Sequence, residues 1–146
     1  MISEKLDVMV TTVIIIGGNA GGLSAASAIR KAHADWNLAV YDMGSYFSYG
    51  ACGLPYYIKG EVPDLNNLIT LSKDTLQKAR KIPIFEKHLI TAVDFPNKRL
   101  HIRNLLTNAE FDKDYDYLVL ATGGRSKKIA PLSIDHPRVK SVHTLE

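Results

Sequence analysis

From Val10 to Asp42 the chain passes through an apolar stretch, a knot of glycines, a helical pattern and a second apolar stretch, an order that leaves few folds open. Val10 to Ile16 is β-branched throughout and apolar but for Thr11 and Thr12, without alternation. That suits a short parallel strand covered on both faces. Gly17 to Gly22 is a tight turn, and Leu23 to Ala32 then carries small and apolar residues at helical spacing. Arg30 and Lys31 close that stretch, where cations suit the negative end of a helix. Leu38 to Tyr41 is a second strand ended by Asp42, so the whole segment has the length and order of one β-α-β unit.

A turn that holds the pyrophosphate of a dinucleotide needs glycine in three places: where the chain bends, where the backbone meets the phosphates, and where the helix packs on its strand. Gly17 and Gly22 take the first and third places. Asn19 takes the second, acceptable because Asn tolerates positive φ better than most residues. Gly18, Ala20 and Gly21 keep the rest of the turn small, so that backbone N–H groups at the helix start face the phosphates with the helix dipole behind them. Asp42 lies about 20 residues beyond the last glycine, at a strand end, where a carboxylate accepts hydrogen bonds from ribose hydroxyls. The plain alternative is a generic strand-turn-helix with a surface aspartate.

Beyond this unit the pattern continues as α/β. Glu61 to Asn67 is loose. Ser72 is an N-cap for a helix over Lys73 to Lys81, with Asp74 in its first turn and Arg80 and Lys81 in its last. Ile84 to Glu86 reads as a strand. Leu89 to Phe95 and Arg99 to Asn104 form an antiparallel hairpin around Pro96, Asn97 and Lys98. Tyr117 to Ala121 is another apolar strand, stopped by Thr122, Gly123 and Gly124. The expectation is one α/β domain with a parallel sheet and an antiparallel hairpin.

Cys52 is the only cysteine, in YFSYGACGLPYYIKG. Without a disulfide partner it is either a small buried hydrophobe or a reactive thiol. Gly50 and Gly53 beside it, a short helical run opened by Gly53, and Tyr46, Phe47, Tyr49, Tyr56 and Tyr57 around it favour reactivity, although those aromatics also suit a core. A lone cysteine agrees with a reducing compartment. MISEKLDVMV does not read as a secretory signal, so a cytoplasmic location is expected. The net charge of +3 comes from dispersed Lys and Arg, which gives nucleic-acid binding little support, and there is no membrane-length apolar run. His33, His88, His101, His136 and His143 lack ligand spacing, so no metal site is expected. Neither a Gly-x-Ser-x-Gly elbow nor a Gly-Lys-Ser/Thr loop is present, which disfavours hydrolase and P-loop readings.

Taken in order, IIIGGNAGG, SYGACGLPYYIKG and YDYLVLATGGR resemble the coenzyme A disulfide reductase, NADH oxidase and NADH peroxidase branch of the flavin-dependent pyridine nucleotide-disulfide oxidoreductases. The CGLPYYI segment is the most specific of the three. The resemblance implies a Rossmann-like FAD-binding domain in which Gly17, Gly22, Asp42, Thr122 and Gly123 contact or shape the FAD site, and Leu89 and Ile90 meet the adenine through their backbone. Tyr41, Met43, Ser48, Ala121 and Arg125 complete the expected cofactor set. Arg125 also reads, with Lys127 and Lys128, as a solvated cluster. In this branch one cysteine does the redox work beside the flavin, and Cys52 matches it: NAD(P)H reduces FAD, and FAD reduces a Cys52 mixed disulfide or sulfenic acid. A free thiol is only a few per cent ionised at neutral pH, so such a role requires surroundings that favour the thiolate.

Peroxidase and oxidase relatives typically carry His where this chain has Ala20. That difference points to coenzyme A disulfide, a persulfide or a related thiol as substrate. Lys31 matches a helix position that is often basic in the coenzyme A branch, with a solvated lysine as the alternative. Ser48 either bonds near the reactive sulfur or shapes the turn. Ala51 replaces the Asn that some reductases carry before the cysteine. Full members are several times longer and homodimeric, with a nicotinamide domain, a second FAD segment and a dimerisation domain that have no counterpart in these residues. The chain is therefore expected to be the first segment of the FAD-binding domain, inactive by itself. The competing readings are an oxidase- or peroxidase-like segment and a non-catalytic nucleotide-binding remnant.

Overall fold

A computed structural model describes residues 10–127 and 138–145. Lys128, His136 and most of the N-terminal stretch considered above lie outside the described residues. The apolar run forms strand β1, Thr12–Ile16, and helix α1 follows over Ala20–Ala32. Strand β2 is Asn37–Tyr41, helix α2 is Leu54–Lys59, and β3 is the two-residue strand Ile84–Phe85. Strands β4, His88–Asp94, β5, Arg99–Asn104, and β6, Glu110–Asp114, precede β7, Tyr117–Leu120. One sheet has the order β3-β2-β1-β7 with every pairing parallel; the other is the antiparallel sheet β4-β5-β6.

The lack of alternation in β1 now has its reason. Val13 and Ile15 point to the side where α1 packs with Leu23 and Ala26, whereas Ile14 points to the other side, against Leu100 and Ile102 of β5. Both faces are dry because the parallel sheet is sandwiched between α1 and the antiparallel sheet. Burying each of these aliphatic side chains is worth about 1.5–3 kcal/mol before conformational entropy is subtracted. Tyr41, Phe85, His88 and Phe111 extend this junction as an aromatic cluster, with Tyr41 and Phe85 stacked at 4.8 Å and His88 edge-on to all three.

The expected hairpin is present as β4 and β5, but β6 had no expectation. Its sequence, EFDKD, offers one apolar residue and no alternation. It is set by its pairing with β5, where Arg99 faces Asp114, Arg103 faces Glu110 and the His101 ring hydrogen-bonds Asp112 in register, while Phe111 packs on the core beside Ile102. The expected helix over Lys73 to Lys81 also differs. It is a wide π turn over Thr75–Ala79, in which the Arg80 N–H reaches back to the Thr75 carbonyl and Leu76 is driven fully into the core. Ser72 does act at its start, its hydroxyl accepting from the Thr75 N–H at 3.2 Å. Helix α1 begins at Ala20 rather than Leu23, because the sharp turn ends sooner than its glycines suggest.

Ile15 is fully buried at the centre of β1. Ile15→Ala is expected to destabilise the chain by about 2–5 kcal/mol, read as a lowered urea midpoint at unchanged m-value.

Candidate functional site

The parallel strands end on one side of the sheet, the side where ligands of open α/β sheets bind. There, β1 runs into Gly17, β2 into Asp42 and β7 into Ala121. The Gly17 N–H donates to the Tyr41 carbonyl and the Ala121 N–H to the Ile16 carbonyl, both at 2.8 Å, so the three ends are tied together. Gly17 has φ +113°, and a Cβ on it would lie 2.1 Å from the Ala121 carbonyl oxygen. Gly22 fails differently: its Cβ would lie 1.8 Å from the Gly17 carbonyl oxygen, where α1 crosses the turn. Asn19 sits at φ −112° in extended backbone, so tolerance of positive φ is not why Asn is accepted there.

A cavity of about 680 Å³ opens above these ends. Its floor is Gly17, Gly18 and Asn19; one wall is Tyr41, Asp42 and Met43, and another is His88, Leu89 and Ile90. Ala121, Thr122, Gly123 and Arg125 form the third side, with Gly123 at φ +71° where a side chain would be strained. His143, Thr144 and Leu145 close over it, and His143 Nε2 lies 2.8 Å from the Gly124 carbonyl oxygen. Ala20, Gly21 and Gly22 stand behind the floor in the first turn of α1. That turn has no acidic residue and no side-chain cap, which leaves its backbone donors for a ligand.

Asp42 holds the floor and wall together. Its Oδ2 accepts from the Gly18 N–H at 2.6 Å and its Oδ1 from the Gly44 N–H at 2.7 Å. The His88 N–H donates to the Asp42 carbonyl, which also ties β4 to this corner. Burial pushes the Tyr41 phenol above its ordinary value.

Cys52 is exposed and does not line the cavity, but Ala51, Tyr46 and Tyr49 do. The segment before it is pinned to the glycine turn, because the Ser48 N–H donates to the Gly18 carbonyl at 3.1 Å and the Tyr49 N–H to Asn19 Oδ1 at 3.2 Å. Cys52 lies three residues beyond Tyr49, which keeps its Cα within about 11 Å of that anchor. Ser48, at φ +53° and buried, shapes this turn: its hydroxyl pairs with Thr70 Oγ1 at 2.8 Å. The aromatics divide, with Phe47 in the core, Tyr46 and Tyr49 at the cavity, and Tyr56 and Tyr57 exposed on α2. Lys31 is exposed in the last turn of α1, eleven residues and roughly 16 Å along the helix from the cavity. The structure does not bring it to the others.

Sequence reasoning missed His88 and the 143–145 segment as lining residues. No local motif marks either; both arrive by long-range packing. Among the described residues no cluster of His, Cys, Asp or Glu is arranged to hold a metal, and no helix is long and apolar enough to cross a membrane.

The site's features fit a dinucleotide: a turn that excludes side chains, free donors at a helix start, a carboxylate at the second strand end and Arg125 on the rim. Residues 11–146 match the family described as Pyridine nucleotide-disulphide oxidoreductase. An NADH oxidase of Methanocaldococcus jannaschii is 36% identical over 110 residues, covering 75% of this chain and 24% of that protein. A coenzyme A disulfide reductase of Staphylococcus haemolyticus is 26% identical over 117 residues, 80% of this chain and 27% of that one. The solved structure of a NAD-dependent persulfide reductase from A. fulgidus superposes with TM-score 0.77 at 38% identity, covering 82% of this chain and 22% of that one. The chain thus spans about a quarter of the length of the curated relatives it matches.

Two outcomes follow from this geometry. Asp42→Ala leaves the Gly18 and Gly44 N–H groups without their acceptor and is expected to cost about 1–3 kcal/mol in urea unfolding. Because the folded state holds the Tyr41 proton more tightly than the unfolded state, the stabilisation is fully present below the ordinary phenol value of 10.0 and is lost as pH rises towards the higher folded-state value. Urea midpoints measured across pH 9–11 should therefore fall more steeply for the wild type than for Tyr41→Phe.

Proposed function

The chain belongs to the pyridine nucleotide-disulphide oxidoreductase family, and from that premise we propose that it carries the first segment of an FAD-binding domain serving Cys52 in an NAD(P)H-dependent reductase of coenzyme A disulfide or a persulfide. The observation that carries this reading is the pair of hydrogen bonds pinning the Cys52 segment to the glycine turn beside the cavity.

In this reading the N–H groups at the start of α1 hold the pyrophosphate, with the helix dipole favouring its charge. Arg125 adds a guanidinium on the same rim. Asp42 has spent two acceptor positions on Gly18 and Gly44, and a carboxylate offers about four, so two remain for ribose hydroxyls. Leu89 and Ile90 wall the adenine. Bound FAD would supply two-electron transfer between NAD(P)H and the thiol centre.

The chain's own chemistry is nucleophilic. The Cys52 thiolate attacks one sulfur of the substrate disulfide; a new S–S bond forms to Cys52, the old one breaks, and coenzyme A leaves as a thiolate that takes a proton from water. Exposure of Cys52 makes this attack sterically open. The names of the relatives divide between oxidase and thiol reductase. Ala20, which offers no acid or base at the helix start, favours the thiol substrate.

Titrating the protein with FAD is expected to give saturable quenching of flavin fluorescence that ADP reverses, whereas riboflavin, which lacks the adenosine and pyrophosphate, binds at least about a hundredfold more weakly, equivalent to about 2.8 kcal/mol. Treating the protein with coenzyme A disulfide should leave one coenzyme A on Cys52 by mass spectrometry, with one free coenzyme A released. Failure to bind FAD at millimolar concentration, or an alkylatable Cys52 that takes no coenzyme A, would overturn the proposal.

A further inference from the structure

We propose that Asn19 is a positioning residue that ties the glycine turn to the thiol segment, so that the place of Cys52 is set from the floor of the cavity. Its meaning for redox chemistry rests on the reading given under Proposed function; the tie itself does not.

Asn19 stands at the N-cap of α1, yet its side chain does not cap the helix. Asn is strongly favoured at that position because its oxygen satisfies a first-turn N–H. Here the oxygen is turned aside, and Oδ1 accepts from the Tyr49 N–H, thirty residues away, at 3.2 Å. The extended backbone at Asn19 would accept many residues, so its conformation does not explain the choice of Asn. Glycine, which the dinucleotide turn usually has at this place, has no side-chain oxygen to accept from the Tyr49 N–H. The side chain is therefore explained by what it holds.

The tie is one of two from the same turn. Next to it the Gly18 carbonyl accepts from the Ser48 N–H. On the opposite side the segment is held by residues 68–70: the Thr70 N–H and hydroxyl both donate to the Ser48 carbonyl at 2.7 Å, and the Gly50 N–H donates to the Leu68 carbonyl at 2.8 Å. A Cβ on Gly53 would lie 2.5 Å from the Leu68 side chain, so the chain on either side of Cys52 is closely confined. Of these ties, Asn19 alone works through a side chain that also borders the cavity. Anything seated on the turn therefore meets the residue that positions the thiol segment.

Amide exchange on the flavin-free protein tests the tie directly, with the Ile15 and Val40 amides reporting global stability. Asn19→Gly is expected to speed exchange at the Tyr49 amide about five- to tenfold relative to those references, the effect of one lost hydrogen bond. Asn19→Asp keeps an acceptor oxygen and should restore protection to within about threefold, a rescue that a purely steric role would not give. With saturating FAD, the change in the rate of Cys52 alkylation by iodoacetamide that flavin produces in the wild type should shrink at least about threefold in Asn19→Gly. Unchanged Tyr49 exchange in Asn19→Gly, or failure of Asn19→Asp to rescue it, overturns the tie. Tyr49 exchange that responds as expected while the flavin effect on alkylation is undiminished overturns its role in positioning Cys52. If the wild type takes up no FAD, the flavin reading falls and the exchange experiment still decides for or against the tie.

Discussion

The crossing of α1 over the end of β1 is the constraint on which the rest depends. Backbone meets backbone there: the Gly17 carbonyl oxygen occupies the space of any side chain at residue 22, and the Ala121 carbonyl oxygen that of any side chain at residue 17. Contact this close draws the ends of β1, β2 and β7 together. It also aims the first turn of α1 at the space above them. The cavity exists because no side chain fills the crossing.

Around that bare crossing the site is assembled by side chains that bind main chain at long range. Asp42 grips Gly18 and Gly44, Asn19 grips Tyr49, and Ser48 with Thr70 fixes the strained turn before Cys52. Asp42 and Asn19 satisfy partly buried N–H groups, Ser48 and Thr70 satisfy each other's hydroxyls, and losing any of these bonds exposes a desolvation cost larger than the bond's own net worth. The polar residues here are therefore structural members as well as candidate ligands. Asp42 and Asn19 hold the shape of the turn before any ligand arrives.

The aromatic junction of Tyr41, Phe85, His88 and Phe111 does the same for the far wall. It locks the antiparallel sheet on the parallel one, and so places Leu89 and Ile90 opposite the glycine turn. Stacked and edge-on rings are directional as well as apolar. The wall's position is thus held more narrowly than burial alone would hold it.

Much of this was legible in the residues themselves. The run from Val10 to Asp42 specifies a β-α-β unit with its glycines at the crossing, because strand burial, helix spacing and the exclusion of Cβ are all local or nearly local demands. Leu89, Ile90, Thr122 and Gly123 were reached through family resemblance, and the structure places them on the cavity. Strand β6 and the π turn at Thr75–Ala79 were not legible. One is set by its pairing with a neighbouring strand and the other by the depth to which Leu76 is buried, neither of which has a local pattern. His88 and the 143–145 segment belong in the same class. Sequence alone determined that a nucleotide-type turn would form and which residues build it. Tertiary structure alone decided that Asn19 reaches Tyr49 instead of capping its helix, that Ser48 turns to Thr70, and that Lys31 stands apart. A side chain's partner is settled by what packing brings within hydrogen-bond reach of it, and that depends on contacts tens of residues distant.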